Sequence, residues 1–386
     1  MTASYAALLG HRPARRLVYA LVVTTLSYGM YSLTVLLTVE SSTGSYREAG
    51  FAVASFALFA GITAPFRGRL IDRRGARTWL PAMAAGYAGF LVALDVAAHA
   101  GAAPWVLIAC AGASGLSAPP IFASARPLWG QIVDPVLVRR GYAVTSLIYD
   151  AGQIVGPVVA SLLFLVSSWP GAIVCGAFAV AGASLSLPAR RGISADREPT
   201  PMPSLLESRA LAGLIAVSVV LGLAQGVVIV AVPAATAHWG HASLAGPLLA
   251  LFAAGSVSGA LWYGTRNWQA PALDRYLGAA LALGLLLAPA VLAGNAAQLG
   301  AILLVAGLAF GPATVAMFEV LDVIVPGGGA ESLTWVTTAE AAGSAAGSAL
   351  AGVLATRSGT AAPFALAAAS MVLAAGSALL VRRGRP

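Results

Sequence analysis

Residues 49–98 read AGFAVASFALFAGITAPF, then RGRLIDRRGAR, then TWLPAMAAGYAGFLVALDVAA. Two apolar runs flank a short run crowded with arginine. About 20 apolar residues in a helix cross a hydrocarbon core about 30 Å thick. Guanidinium groups are costly inside that core. The stretch therefore predicts two membrane spans joined by a charged turn on one side of the bilayer. The whole chain follows the same rule. Of its 386 residues 59% are hydrophobic and 9% charged, with mean hydropathy +0.85, whereas soluble domains carry roughly 25% charged residues. So few charges cannot cover a water-facing surface, so lipid must solvate the exterior. A soluble enzyme is excluded.

Apolar runs of spanning length fall at 17–39, 49–66, 78–98, 104–125, 142–166 and 169–187. Six more fall at 210–236, 244–264, 276–294, 298–320, 332–356 and 360–381. The predicted fold class is an all-α membrane protein with twelve transmembrane helices. With the N-terminus cytoplasmic, every arginine except Arg47 and Arg357 lies in a cytoplasmic segment, as the positive-inside rule requires. Both termini are then cytoplasmic. The +8 net charge marks topology rather than a nucleic-acid partner. All cationic side chains are arginine, a bias of GC-rich coding that points to a bacterial cytoplasmic (inner) membrane. Arg15 and Arg16 precede an apolar stretch running on to Val39, too long for a cleaved leader, so the first segment is expected to remain as a span.

The longest polar interval, 188–208, holds Pro188, Pro199, Pro201 and Pro203 among charged residues. It reads as a cytoplasmic linker between an N-terminal bundle, 1–187, and a C-terminal bundle, 209–386. The halves share short recurrences: Leu58-Phe59-Ala60 with Leu251-Phe252-Ala253, Pro135 with Pro326, and Gly152-x3-Gly156 with Gly343-x3-Gly347. Nearly constant spacing between them predicts an internal repeat, an architecture known among transporters.

In the charged turn, Gly68, Leu70, Asp72, Arg73, Gly75 and Arg77 stand in the register of the signature cytoplasmic loop of the major facilitator superfamily, which the chain resembles over its twelve-span layout. Ala76 departs from that pattern, where the family usually has a basic residue. The resemblance implies two pseudo-symmetric six-helix bundles and a conformational latch formed by Gly68, Asp72, Arg73, Gly75 and Arg77. From the residues alone, the two glycines permit a tight turn and Asp72 can pair with arginines or helix termini. A topology-anchoring run is the alternative. The second half keeps only Gly264-Thr265-Arg266, without an acid.

Span five contains Gly152, Gly156 and Pro157, similar to the motif of the family's exporters, although Ala160 and Ser161 replace its closing glycines. Small residues four apart also let any two membrane helices pack closely. Many drug/proton antiporters of the family carry an arginine in span four, and residues 104–125 hold none.

The spans contain four acids, Asp95, Asp150, Glu319 and Glu340, and no basic residue. Asp95 and Glu319 lie near span ends, where water is in reach. Asp150 and Glu340 are each ninth in their span, about 13 Å along the helix and near the midplane. They are the candidate proton-coupling groups; a protonated acid hydrogen-bonded within the bundle is the alternative. The resemblance implies a central cavity, with candidate lining from Tyr28, Tyr31, Thr34, Tyr149, Gln153, Gln225, Phe310, Trp335 and Thr338. Such a lining suits an amphipathic organic solute.

The expected function is secondary active transport: proton-coupled export of a small amphipathic compound by alternating access. An importer or facilitator of a sugar or similar nutrient is the alternative. A polytopic membrane enzyme would need a catalytic cluster. Of His11, His99, His238 and His241 only the last two are close, with no acid beside them. Cys110 and Cys175 sit in apolar runs and read as packing residues. No metal, cofactor or enzymatic activity is expected. The expected partners are substrate, protons and lipid, with the chain a monomer.

Overall fold

The structure is a computed structural model that describes residues 10–74, 76–121, 125, 128–129, 132–133, 135–166, 170–185, 209–324 and 329–383. Twelve helices run through these residues. In the first half they are α1 (Arg12–Thr43), α2 (Tyr46–Arg74), α3 (Ala76–His99), α4 (Pro104–Ser117), α5 (Pro135–Val166) and α6 (Pro170–Leu185). In the second half they are α7 (Arg209–His238), α8 (Ala245–Gly264), α9 (Ala272–Leu287), α10 (Ala296–Ile324), α11 (Gly329–Ser358) and α12 (Ala361–Arg383). Each predicted span has its helix, and no strand occurs among the described residues. The 188–208 linker lies outside them.

The chain turns sharply between helices. Gly44 closes α1 in the left-handed region, φ 65, with its N–H on the Glu40 carbonyl at 2.7 Å, a conformation glycine adopts without a Cβ penalty. Two span boundaries need correction. The signature loop is mostly helical: α2 continues to Arg74 and α3 begins at Ala76, with Gly75 outside the described residues. The α4 helix stops at Ser117 instead of 125, because Pro119 and Pro120 follow. Consecutive prolines remove two N–H donors and push the preceding residues out of the helical region.

The two halves pack in the same way. Within the first, α1 lies on α5 and α6, α2 on α4, and α3 on α4 and α6. Within the second, α7 lies on α11 and α12, α8 on α10, and α9 on α10 and α12. Lipid supplies no hydrophobic drive between helices, so close backbone approach does the work. A Cβ on Gly152 would overlap Thr25, and one on Gly156 would overlap Gly29. Cβ atoms on Gly343 and Gly347 would overlap Val219 and Leu223 of α7 in the same manner. The glycine repeat is therefore structural. The Leu-Phe-Ala recurrence is not: Gly115 packs on Phe56 and Ala60, and Gly307 packs on Phe252 and Ser256. That packing aligns Phe56, not Phe59, with Phe252.

The halves meet along α2 with α11 and along α5 with α8. Gly50 and Gly352 sit at backbone contact, and Gly61 abuts Ala341. The Gly246 N–H donates to Ser161 Oγ at 2.9 Å, and the Tyr46 hydroxyl donates to the Pro233 carbonyl at 3.3 Å. These contacts lie between the middle of the bundle and the end opposite the chain termini.

Candidate functional site

A helix turns about 100° per residue, so residues seven apart share a face. Asp150 therefore lies with Pro157 and Ser161, whose atoms meet Gly246 of α8. The face of α5 that carries Asp150 looks across to the second half. Gly152 and Gly156 point the other way, onto α1. Glu340 occupies a different setting. Its backbone presses on Gly222 of α7, and its carboxyl acts electrostatically on Tyr276 of α9. Because Gly152 aligns with Gly343, Glu340 is the counterpart of Tyr149, and Asp150 the counterpart of Ala341. The two acids are not equivalent, although their span positions predicted it.

They nonetheless converge. Tyr149 is within electrostatic reach of both, Asp150 on its own helix and Glu340 on α11 of the other half. Tyr149 in turn acts on Tyr28 of α1. Tyr28 donates its hydroxyl to the Pro119 carbonyl, freed where α4 breaks. Next to it, Arg67 of α2 donates to the Ala118 carbonyl from Nη1 and to the Ala60 carbonyl from Nη2. Arg67 and Tyr28 thus cap the broken end of α4, and Tyr149 is within electrostatic reach of Tyr28 and of both acids.

Arg67 overturns one expectation. It belongs by sequence to the cytoplasmic arginines, yet it is only 8% exposed and its guanidinium lies inside the bundle. Its side chain runs back toward the N-terminus of α2, as helical side chains do. The sequence held one signal for it: a Pro-Pro pair inside an apolar run frees carbonyls that need a donor.

Other predicted residues divide. Tyr31 and Thr34 are buried within the first half, not on a cavity wall. Tyr31 bonds Ser114 Oγ at 3.1 Å and stacks on Phe56, while Thr34 faces Gly171 of α6. Phe310 packs on Phe252 at 5.3 Å between ring centroids. Gln153 and Thr338 are half-buried, and Gln225, Trp335 and Tyr149 are exposed on their helices. Gly68 lies within α2; the side chains of Asp72, Arg73 and Arg77 are outside the described residues. Asp95 does not reach water: it is 1% exposed, neither carboxylate oxygen has a hydrogen-bond donor, and His99 Nδ1 stands 3.8 Å away. Glu319 is partly exposed but also paired, with Arg275 at 2.7 Å and the Tyr263 hydroxyl at 2.9 Å. Cys175 contacts Ser27 and Tyr87 in the interior. Among the described residues no three His, Cys, Asp or Glu side chains are grouped to hold a metal.

Comparison with solved structures finds the same architecture. The nucleoside transporter NupG superposes with a TM-score of 0.72 at 14% identity, covering 97% of this chain and 100% of that one. A bacterial homologue of the human lysosomal transporter Spinster, inward-facing and occupied, gives 0.71 at 15% identity, covering 97% of each chain. The human organic anion transporter MFSD10 gives 0.64 at 18%, covering 94% of this chain and 98% of that one. No curated protein matches the chain in sequence. The profile of the Major Facilitator Superfamily matches residues 17–334, most of the chain, and with the paired six-helix bundles it shows that this protein is a multi-pass membrane transporter belonging to the major facilitator superfamily.

Proposed function

We propose that the protein exports a small amphipathic organic compound from a bacterial cell in exchange for protons. The bundles 1–187 and 209–386 would rock about the cytoplasmic linker 188–208 to expose the site alternately to each side of the inner membrane. The observation that carries this reading is a pair of carboxyl groups on the helices that join the halves, Asp150 on the face of α5 that meets α8 and Glu340 on α11, which packs on α2. Among the described residues neither acid has an ion-pair partner, and the ion pairs found there lie elsewhere. A carboxylate without a counter-ion inside a bundle can take up a proton when its cavity faces one side and release it on the other. The arginine bias supports cytoplasmic termini. With that orientation the contacts between halves close the external side, and the present conformation faces the cytoplasm, where an exporter loads. The glycines and Pro157 of α5 fit the exporter-like motif, and organic solutes named for the similar structures fit a carrier of organic compounds.

Purified protein in proteoliposomes, loaded with a compound panel and given a pH gradient, tests the reading. Asp150→Asn or Glu340→Gln should abolish gradient-driven accumulation while exchange of labelled substrate continues. The amides keep size and hydrogen bonding but carry no proton. Normal accumulation by both variants would remove proton coupling through these acids.

A further inference from the structure

Arg67 is a described charged group that the proton reading leaves unused. Its guanidinium is buried and has no carboxylate partner among the described residues. It donates to the carbonyls of Ala118 and Ala60, and its Nε, also buried, has no hydrogen-bond partner. Satisfying two carbonyls does not require a charge. Tyr28 satisfies the neighbouring Pro119 carbonyl with a neutral hydroxyl. A buried cation without a counter-ion carries a large desolvation cost, so a neutral donor would be the more stable choice if bridging the α4 break were the whole task.

We infer that Arg67, with Tyr28 beside it, is the recognition site for an anionic group of the substrate, a carboxylate or a group of like charge and shape. Nε and the adjacent Nη2 form the edge of a guanidinium that takes a carboxylate through two parallel hydrogen bonds. Tyr28 stands beside Arg67 on the adjacent carbonyl of the α4 break, and Tyr149, partly exposed on α5, is within electrostatic reach of it. A substrate entering the seam can reach Arg67 with its anionic end by displacing Tyr28 from the Pro119 carbonyl. The apolar body then lies along the aromatic rings. The inference rests on the transport reading for the place of the site, and adds the charge class of what binds there.

Binding to detergent-solubilised full-length protein tests this without any gradient, so a failure of proton coupling cannot masquerade as a failure here. The probes are matched pairs differing only at one end: benzoate and benzamide, indole-3-acetate and its amide, octanoate and its amide. The wild type should bind at least one carboxylate about tenfold to hundredfold more tightly than its amide, the range expected for hydrogen bonds to a buried charge. In Arg67→Gln that ratio should fall to about one. In Arg67→Lys, which keeps the charge and loses the fork, it should fall only in part. If Arg67→Gln does not fold, the lysine variant decides. A wild type with no preference for any carboxylate overturns the site, and so does a preference unchanged in either variant. Uptake assays in proteoliposomes fail separately if the transport reading is wrong.

Discussion

The contact of α2 with α4 and the contact of α8 with α10 are built alike and furnished differently. Gly115 on Phe56 and Ala60 corresponds to Gly307 on Phe252 and Ser256. In that alignment Pro120 matches Pro312, Pro119 matches Gly311, and Arg67 matches Tyr263. With a single proline, α10 continues from Ala296 to Ile324. With two, α4 stops at Ser117. The freed carbonyls of the first half then bind Arg67 and Tyr28 inside the bundle. In the second half the arginine stands on α9 instead, where Arg275 meets Glu319 and Tyr263 at the end nearer the termini. Duplicated frames fix helix contacts; the positions that glycine packing leaves free can diverge, and there one half carries a buried cation with no ion-pair partner among the described residues and the other a paired, partly exposed one.

The largest effect should come from disturbing what the halves share. Gly343→Leu forces a side chain into the Val219 backbone, and Gly152→Leu forces one into Thr25. Neither helix pair can part without opening its bundle, so each variant should lose about 3 kcal/mol or more and yield little monodisperse protein on size-exclusion chromatography. Wild-type melting of one variant but not the other would show that the two glycine seams are not equivalent.

The shared frame was legible in the sequence because membrane helices announce themselves by length and polarity. Twelve runs gave twelve helices, and the Gly152/Gly343 recurrence survived as real packing. The site was legible only in part. Counting from span edges placed Asp150 and Glu340 at equal depth, but an error of one residue rotates a helix position by about 100°, enough to exchange the seam for the bundle interior. Tyr31 and Thr34 failed for the same reason: apolar runs carry too little contrast to say which face of α1 is buried. Arg67 was misplaced because its side chain reaches back along α2, a direction no count of span residues contains.

A second test concerns the break itself. Pro119→Ala leaves one proline in α4, as in α10, and lets the helix continue past Ser117. Carbonyls that now receive Arg67 and Tyr28 would turn to backbone donors. The guanidinium would then be buried with fewer acceptors, costing about 1–3 kcal/mol in thermal unfolding. Tyr28→Phe, which removes one donor and no charge, should cost about 1 kcal/mol. If Pro119→Ala is more stable than the wild type, the break is not what holds Arg67 in place.

The signature loop contrasts the halves in sequence, since the acid Asp72 has no counterpart beside Arg266. Under the resemblance, Asp72 steadies the state that is closed on the cytoplasmic side. Asp72→Asn should then slow transport about tenfold, equivalent to roughly 1.4 kcal/mol of differential stabilisation, with no change in melting. Unchanged transport would leave the loop as a topology signal.

The smallest effect belongs to the paired cation. Arg275 lies 2.7 Å from Glu319, over the rings of Tyr263 and Trp268, and donates to the Ala270 carbonyl as well. The Glu319 side chain is 41% exposed, so water and salt screen much of the attraction. Glu319→Gln keeps an acceptor for Tyr263 and removes only the charge. Arg275 retains its ring and carbonyl contacts. The variant should therefore lose about 0.5–1 kcal/mol, and the deficit should shrink as sodium chloride rises from 0.05 M toward about 0.5 M, where the screening length falls below the pair's surroundings. The buried arginine of the other half offers the control. The effect of Arg67→Gln on melting should not change over the same salt range, because its guanidinium is almost entirely withdrawn from solvent. Equal salt sensitivity in the two variants would mean that bulk ions screen both guanidinium groups alike, and the contrast between a buried cation in one half and a screened one in the other would no longer hold.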